Sequence, residues 1–295
     1  MEFLKFLESI RTPFLDTVIS VITGLGEETI GIVILCAIFW CISKRTAYII
    51  GIAYFLSGLT VQGMKICFRI DRPWIADPSL SPVQSAVKHA TGYSFPSGHT
   101  QSATALFGAL GMQVKNIPFK TICFIIVILV AFSRMYLGVH TPLDVITSLI
   151  ISSLLIALTI IFYNDTICKT RELIIALVMI LYAAAVIVIA AVLYSNGTIE
   201  RHYLSDCLKA AGAGIGFAAG MYVERLYINF SVKTKNILWQ IIKFTAGLAG
   251  VLLIKEGLKL IIGTGLAVDT VRYFLMLLWV TMLYPLVIRK FFTAE

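Results

Sequence analysis

The chain has 295 residues, of which 59% are hydrophobic and only 14% are charged. Because soluble globular domains carry roughly a quarter charged residues, this composition excludes an ordinary soluble domain. The net charge of +8 does not indicate nucleic acid as a partner, because many of the basic residues lie in short links between apolar runs, where membrane orientation explains them.

The apolar residues form long runs. The clearest run, 173–193, contains no charged residue and exceeds the roughly 20 residues that a helix needs to cross a hydrocarbon core. Such runs, and the residues that break them, predict about nine spans. The sequence therefore predicts an all-α fold, a polytopic membrane helical bundle, with spans at approximately 28–43, 46–66, 99–115, 118–137, 142–163, 172–194, 205–223, 238–262 and 271–290.

The segment before the first span differs from the rest. Residues 1–11 contain acidic residues and a short amphipathic pattern, without the signature of a cleaved signal peptide, which predicts a helix lying on the membrane surface. The apolar stretch 13–25 either extends the first span or crosses by itself. We divide the chain into an amphipathic, interfacial segment 1–27, a catalytic core 28–165 and additional C-terminal transmembrane helices 166–295.

Basic residues are concentrated in alternate links between the predicted spans. With nine spans they all lie on one side, which the positive-inside rule makes cytoplasmic. The opposite side carries the long segment 67–96. We therefore expect a multi-pass protein of the cell membrane with its active site on the extracytoplasmic side. The basic residues are Lys44, Arg45, Lys115, Lys120, Lys169, Arg171, Arg225, Lys233, Lys235, Arg289 and Lys290.

Two polar clusters near the outer ends of the spans are suited to binding an anion. Lys65, Arg72 and Arg134 supply three cations, and the guanidinium forks of the two arginines match the oxygens of a phosphate. Ser97 and Gly98 come just before a predicted span. Helix N-termini present free N–H groups and a positive dipole end, so these residues also favour a phosphate ligand.

A third cluster adds a nucleophile. Thr141 and Pro142 predict a helix start, with Thr141 as the N-cap. Asp144 then falls in the first turn, where its carboxylate can orient the ring of His140 and leave the other ring nitrogen free to attack. His99, in the first turn of its own helix, is placed to act as a general acid.

These clusters together carry a family signature. Lys65-x6-Arg72-Pro73, Pro96-Ser97-Gly98-His99 and Ser133-Arg134-x5-His140-x3-Asp144 resemble the three-part motif of the type 2 phosphatidic acid phosphatase (PAP2) superfamily. That superfamily also includes bacterial lipid phosphatases, glucose-6-phosphatase and the vanadium haloperoxidases. The resemblance covers roughly residues 60 to 150, and all eleven signature positions agree. The choice of His140 over His99 as the nucleophile rests on Asp144 and on this family pattern.

The resemblance implies a phosphatase that needs no metal and no cofactor. His140 would attack phosphorus and form a phosphohistidine, Asp144 would orient His140, and His99 would protonate the leaving alcohol and later activate water. The phosphoryl oxygens would be held by the remaining signature residues, Lys65, Arg72, Ser97, Gly98 and Arg134.

The expected partners are membrane lipids and a lipid phosphate or diphosphate substrate of the phosphatidate, phosphatidylglycerol phosphate or polyprenyl diphosphate type. The oligomeric state stays open. One alternative is a sugar-phosphate phosphatase of the glucose-6-phosphatase type, which a lateral opening between helices would disfavour. The other alternative is a non-catalytic lipid-phosphate binder or transporter, which the loss of a signature residue would have favoured.

The other polar residues have no role or two alternative roles. His89 and His202 are interpreted as loop histidines without a role. Arg69 and Asp71 either pair with each other or touch the substrate. Glu224 and Arg225 lie at the end of an apolar segment. We favour pairing with other charges for them over the lining of a headgroup pocket, because charges in a membrane need partners.

Overall fold

The computed structural model describes residues 1–88, 90–163 and 166–292, and within these ranges it is helical with no β-strand. The predicted all-α fold is therefore confirmed. His89, one of the histidines predicted to lie in a loop, is outside the described residues. The helices are α1 (Glu2–Ser9), α2 (Pro13–Gly24), α3 (Glu28–Ala37), α4 (Lys44–Phe68), α5 (Pro73–Ala76), α6 (Gln84–Val87), α7 (Gly98–Ala103), α8 (Ala109–Gln113), α9 (Ile117–Tyr136), α10 (Pro142–Phe162), α11 (Lys169–Ser195), α12 (Arg201–Val223), α13 (Ile237–Leu252), α14 (Leu258–Ile262), α15 (Leu266–Leu278) and α16 (Tyr284–Phe291).

Short π-helical turns continue several of these helices. Such a turn contains one extra residue, so the residues that follow it lie on a different face of the helix. They join α7 to α8, α13 to α14 and α15 to α16 into longer helical segments, and they end α3 and α12. The turns are Ile38–Ile42, Thr104–Gly108, Glu224–Ile228, Leu253–Gly257 and Trp279–Leu283.

Each of the nine predicted spans coincides with a helical segment, but the count of nine is not confirmed. Within the described ranges, six segments are long and apolar enough to cross a membrane, or seven if the pair Pro13–Gly24 and Glu28–Ile42, bent by 48°, forms one span. The segment 98–113 falls short because its sixteen residues extend only about 24 Å, less than the roughly 30 Å of a hydrocarbon core. Helix α12 falls short because charged residues near its start and many glycines lower its mean hydropathy.

The chain separates into two compact units, each made of two stretches of sequence. The first unit comprises Met1–Ile32 and Thr60–Thr159, and the second comprises Val33–Leu59 and Ile160–Glu295. These boundaries differ from the segments 1–27, 28–165 and 166–295, and the division into those three segments stays a prediction.

Helix α9 lies at the centre of the first unit. It contacts α1, α2, α7 and α8, and its buried face repeats every three or four residues from Cys123 to Tyr136, as expected of a packed helix. Near its C-terminal end, Tyr136, Leu137 and Val139 form a small apolar core with Ala86. This packing places the C-terminal end of α9 beside the N-terminal helices and the loops that follow α4.

In the second unit, α12 packs against α11 and α15. A Cβ added at Gly216 would lie 2.3 Å from the carbonyl oxygen of Phe274, so glycine is what lets the two backbones approach. The polar residues at the end of α12 are paired. Glu224 binds Lys44 at 2.8 Å and Arg225 binds Glu172 at 2.9 Å, which confirms the predicted pairing of these two charges.

Candidate active site

All eight predicted site residues lie at helix ends in the first unit. Lys65 is in the last turn of α4, and Arg134 is in the last turn of α9. Ser97 caps the N-terminus of α7, which begins at Gly98 and His99. His140 directly precedes the start of α10, and Asp144 is in its first turn.

The start of α10 fixes the carboxylate of Asp144. The Thr141 hydroxyl accepts from the Asp144 N–H at 3.3 Å, and Asp144 Oδ2 accepts from the Thr141 N–H at 2.8 Å. This reciprocal capping arrangement satisfies two backbone donors at once. It confirms the predicted N-cap and holds the carboxylate beside the residue that precedes Thr141.

His140 is held from both sides of its ring. Its Nδ1 lies 3.3 Å from Asp144 Oδ2, and its Nε2 lies 2.8 Å from Arg72 Nη1. An arginine can only donate, so Nε2 is the acceptor and the ring proton sits on Nδ1. Burial lowers the pKa of His140 well below its ordinary value, and the charges of Arg72, Arg134 and Lys65 lower this pKa further. The ring is therefore neutral at pH 7, with a lone pair on Nε2.

Ser94 is a site residue that the sequence reasoning missed. It is fully buried, and its hydroxyl donates to Asp144 Oδ2 at 2.6 Å, closer than the His140 ring. Its N–H donates to the Ile70 carbonyl at 2.8 Å. Its position two residues before Pro96 was the only available signal, and that signal does not distinguish a buried donor from a loop serine.

Arg72 and Lys65 meet at the loop that contains Gly92. Arg72 Nε donates to the Gly92 carbonyl at 2.7 Å, and its Nη1 donates to the Val139 carbonyl at 3.0 Å. A Cβ added at Gly92 would lie 3.5 Å from Lys65 Nζ. The structure thus brings both predicted cations to the same loop, with Arg72 in direct contact with His140.

Arg134 and His99 each present a buried polar atom. Arg134 is 1% exposed, and its Nη1 donates to the Thr23 hydroxyl at 2.7 Å. Among the described residues, Arg134 Nε and His99 Nε2 have no hydrogen-bond partner. Burial lowers the pKa of His99 well below its ordinary value, and the nearby Arg134, His140, Lys65 and Arg72 lower this pKa further. Because buried polar atoms normally have partners, these two atoms are suited to bind ligand oxygens.

Ser97 joins the start of α7 to α10. Its hydroxyl accepts from the Thr100 hydroxyl at 3.0 Å, and its carbonyl accepts from the Ser148 hydroxyl at 2.9 Å. Ser97 and Ser148 are fully buried. The first N–H groups of the helix, at Gly98 and His99, are consequently held at a fixed place, where they can bind an anion.

The sequence matches a known protein family in two regions. The PAP2 superfamily matches residues 46–168, and the transmembrane extension of PAP2 superfamily phosphatases matches residues 208–295. Phosphatidylglycerophosphatase B of Bacillus subtilis is 30% identical over 155 residues, which cover 46% of this chain and 70% of that protein. The chain belongs to the PAP2 superfamily. With this extension and its apolar helices, it is a multi-pass membrane protein.

Two further PAP2 relatives are similar over a smaller share of their length. The probable sphingosine-1-phosphate phosphatase of Dictyostelium discoideum is 31% identical over 163 residues, covering 50% of this chain and 38% of that protein. The undecaprenyl-diphosphatase BcrC of Bacillus subtilis is 31% identical over 98 residues, covering 33% of this chain and 48% of that protein. The chain thus spans less than half of either relative. No solved structure gives a significant match.

Proposed function

We propose that this protein is a metal-independent membrane phosphatase that hydrolyses a lipid phosphate or diphosphate through a phosphohistidine on His140. The observation that carries the proposal is the state of that ring, which is neutral, with Nδ1 turned to Asp144 and Nε2 turned to Arg72. A neutral, oriented imidazole is a competent nucleophile. The relatives are named for activities on sphingosine 1-phosphate, phosphatidylglycerophosphate and undecaprenyl diphosphate, and these names support a lipid substrate.

In the first step, the hydrogen bond that Arg72 Nη1 donates to His140 Nε2 passes to a phosphoryl oxygen of the substrate, and the freed lone pair of Nε2 attacks phosphorus. Because the pKa of His99 is well below its ordinary value, the substrate binds as the protonated phosphate and passes this proton to His99 Nε2. The bond between phosphorus and the leaving oxygen then breaks, and His99 Nε2 gives the proton to that oxygen. The alcohol, or the lipid monophosphate when the substrate is a diphosphate, departs. Positive charge on the phosphorylated ring is stabilised by the Asp144 carboxylate.

In the second step, His99 takes a proton from water, and the water oxygen attacks phosphorus. The phosphorus–nitrogen bond breaks, phosphate leaves and His140 returns to its neutral form. In both steps the charge on the phosphoryl oxygens is stabilised by preorganised donors, which avoids reorganisation at the moment of reaction. These donors are the side chains of Lys65, Arg72, Ser97 and Arg134 and the N–H of Gly98.

The active site is assigned to the extracytoplasmic side of the cell membrane. Two helices that end at the site support this side without a full count of spans. Helix α4 begins at Lys44 and Arg45 and carries Lys65 in its last turn. Helix α9 follows Lys115 and carries Arg134 in its last turn. The basic link residues therefore lie at the helix ends opposite the site, and the positive-inside rule makes those ends cytoplasmic.

A substrate panel tests the proposal. Protein purified in detergent is given lipid phosphates, lipid diphosphates and sugar phosphates with a chelator present, and phosphate release is measured. We expect release from lipid substrates, and loss of at least about a thousandfold in His140→Ala, because removal of a covalent nucleophile leaves only binding and charge stabilisation. His202→Ala is the matched control, since His202 is exposed and paired with Glu200 at 3.4 Å.

The outcomes separate the alternatives. Release from sugar phosphates alone would assign the glucose-6-phosphatase type of activity. Tight binding without turnover in wild type would assign a binder or transporter. Activity that requires a divalent metal, or a His140→Ala variant close to wild type, would refute the mechanism. Acid-labile label on wild type after a rapid quench, absent from His140→Ala, would identify the intermediate directly.

A further inference from the structure

The bend between α2 and α3 lies outside the region matched by the PAP2 superfamily, which begins at residue 46. The two helices meet there at 48°, and the bend belongs to the first unit, like the site. Helix α2 contacts α9. Two residues of the bend region reach the proposed catalytic groups, although the sequence indicated no site residue there.

Thr23 is the first of these residues. Its side chain is buried, with 7% of the residue exposed, and its hydroxyl accepts a 2.7 Å hydrogen bond from Arg134 Nη1. A guanidinium is a rigid planar fork, so fixing Nη1 also fixes the directions of the other N–H groups. One of these is the buried Arg134 Nε, which has no partner among the described residues. Glu27 also interacts electrostatically with Arg134.

Gly26 is the second residue. A Cβ added there would lie 2.8 Å from the carbonyl oxygen of His99, 3.1 Å from His99 Cβ and 2.9 Å from Val130 Cγ1. Two of these three atoms belong to the proposed general acid, and one is backbone, which cannot move without moving the start of α7. The bend is therefore packed directly against His99.

We propose that Thr23 and Gly26 are positioning residues of the active site, with Thr23 aiming the Arg134 guanidinium at the phosphoryl group and Gly26 leaving the space that sets the place of His99. The N-terminal helices then contribute positioning residues to the active site. The enzymatic readout of this inference rests on the proposed phosphatase function.

Thr23→Val tests the first contact, because valine keeps the shape of threonine and removes the acceptor. Thr23→Ser keeps the acceptor, and Thr17→Val is the matched control, since the exposed Thr17 hydroxyl bonds only its own helix at Pro13. Loss of a hydrogen bond to a charged group predicts that Thr23→Val lowers kcat about tenfold and weakens inhibition by orthovanadate about tenfold. We expect Thr23→Ser and Thr17→Val to stay within about threefold of wild type.

The inhibition constant for orthovanadate separates positioning from folding. Orthovanadate mimics the five-coordinate phosphorus, so its affinity reports how well the donors are aimed. A merely structural role would lower the fraction of active enzyme, and hence kcat, without changing this constant. An unchanged orthovanadate constant in Thr23→Val, or a Thr23→Ser variant as impaired as Thr23→Val, would overturn the assignment of Thr23.

Gly26→Ala tests the second contact, with Gly24→Ala as its control, because a Cβ at Gly24 would meet nothing within 4 Å. We expect Gly26→Ala to lower kcat at least about tenfold, with the loss greatest for substrates whose leaving alcohol needs a proton. Equal activity of the two glycine variants would overturn the assignment of Gly26.

Failure of the proposed function would be visible separately. If wild type releases phosphate from no substrate in the panel, orthovanadate binding is measured by the shift in melting temperature. Weaker binding in Thr23→Val than in Thr17→Val would then support the positioning role without the phosphatase function. Equal binding in these two variants, or no binding by wild type, would overturn it.

Discussion

Asp144→Asn isolates the contribution of one negative charge. Asparagine can keep the geometry of the carboxylate, with its amide oxygen accepting from Ser94 and from the Thr141 N–H in place of Oδ2. What is lost is the charge 3.3 Å from His140 Nδ1. Two unit charges at 3.3 Å interact by about 5 kcal/mol at an effective dielectric constant of about 20.

Only part of this energy enters the rate, since the positive charge on the ring is incomplete in the transition state. Half of it, about 2.5 kcal/mol, corresponds to a fall in kcat of roughly a hundredfold, with KM nearly unchanged. The assay is steady-state phosphate release together with rapid-quench trapping of the phosphohistidine. Asp206→Asn, at a partly exposed pair with Lys209, is the control. A value of kcat within threefold of wild type would refute the assigned role of Asp144.

Three other predictions concern the pH dependence, Ser94 and the ion pair between Glu172 and Arg225. First, kcat/KM should hold constant to well below pH 6.5 and fall only at lower pH, because the lowered pKa keeps His140 neutral there; a fall centred at or above pH 6.5 contradicts this. Second, Ser94→Ala should lower the free energy of unfolding by about 1.5–3 kcal/mol, since a buried charge-assisted hydrogen bond is lost. Denaturant titration checks it, and the exposed Ser79→Ala, whose effect should be smaller, is the control. Third, Glu172→Gln should lower the melting temperature, because it removes the negative charge that pairs with the buried Arg225. An unchanged melting temperature would show that this pair is not stabilising.

Much of the fold followed from local composition. Long apolar runs and their breakers predict helices wherever they occur, and each of the nine runs does coincide with a helical segment. The number of helices that cross a membrane did not follow from composition, because some segments are close to the minimum length or hydropathy that a span needs. The segment 98–113 is too short, and α12 carries charges near its start, so neither qualifies by length and composition.

The candidate site could be predicted because its residues lie at or beside helix ends, which can be recognised in the sequence. Thr141 and Asp144 stand three apart at a helix start, a spacing that brings a carboxylate back to the preceding residue. Along the sequence, Lys65, Arg72, Arg134 and His99 also lie within a few residues of a helix end. Their catalytic roles stay a proposal until the variants are measured.

The sequence by itself therefore determined the helical membrane character and the set of eight candidate site residues, because both depend on composition and on spacings within one or two turns. Only the tertiary structure decided that Ser94 binds Asp144 and that Thr23 binds Arg134, contacts that join residues 50 and 111 positions apart. Neither a serine in a loop nor a threonine in an apolar segment shows in the sequence which residue it will bind. That partner is chosen by how the helices pack, since a buried hydroxyl must find an acceptor or donor within hydrogen-bond reach.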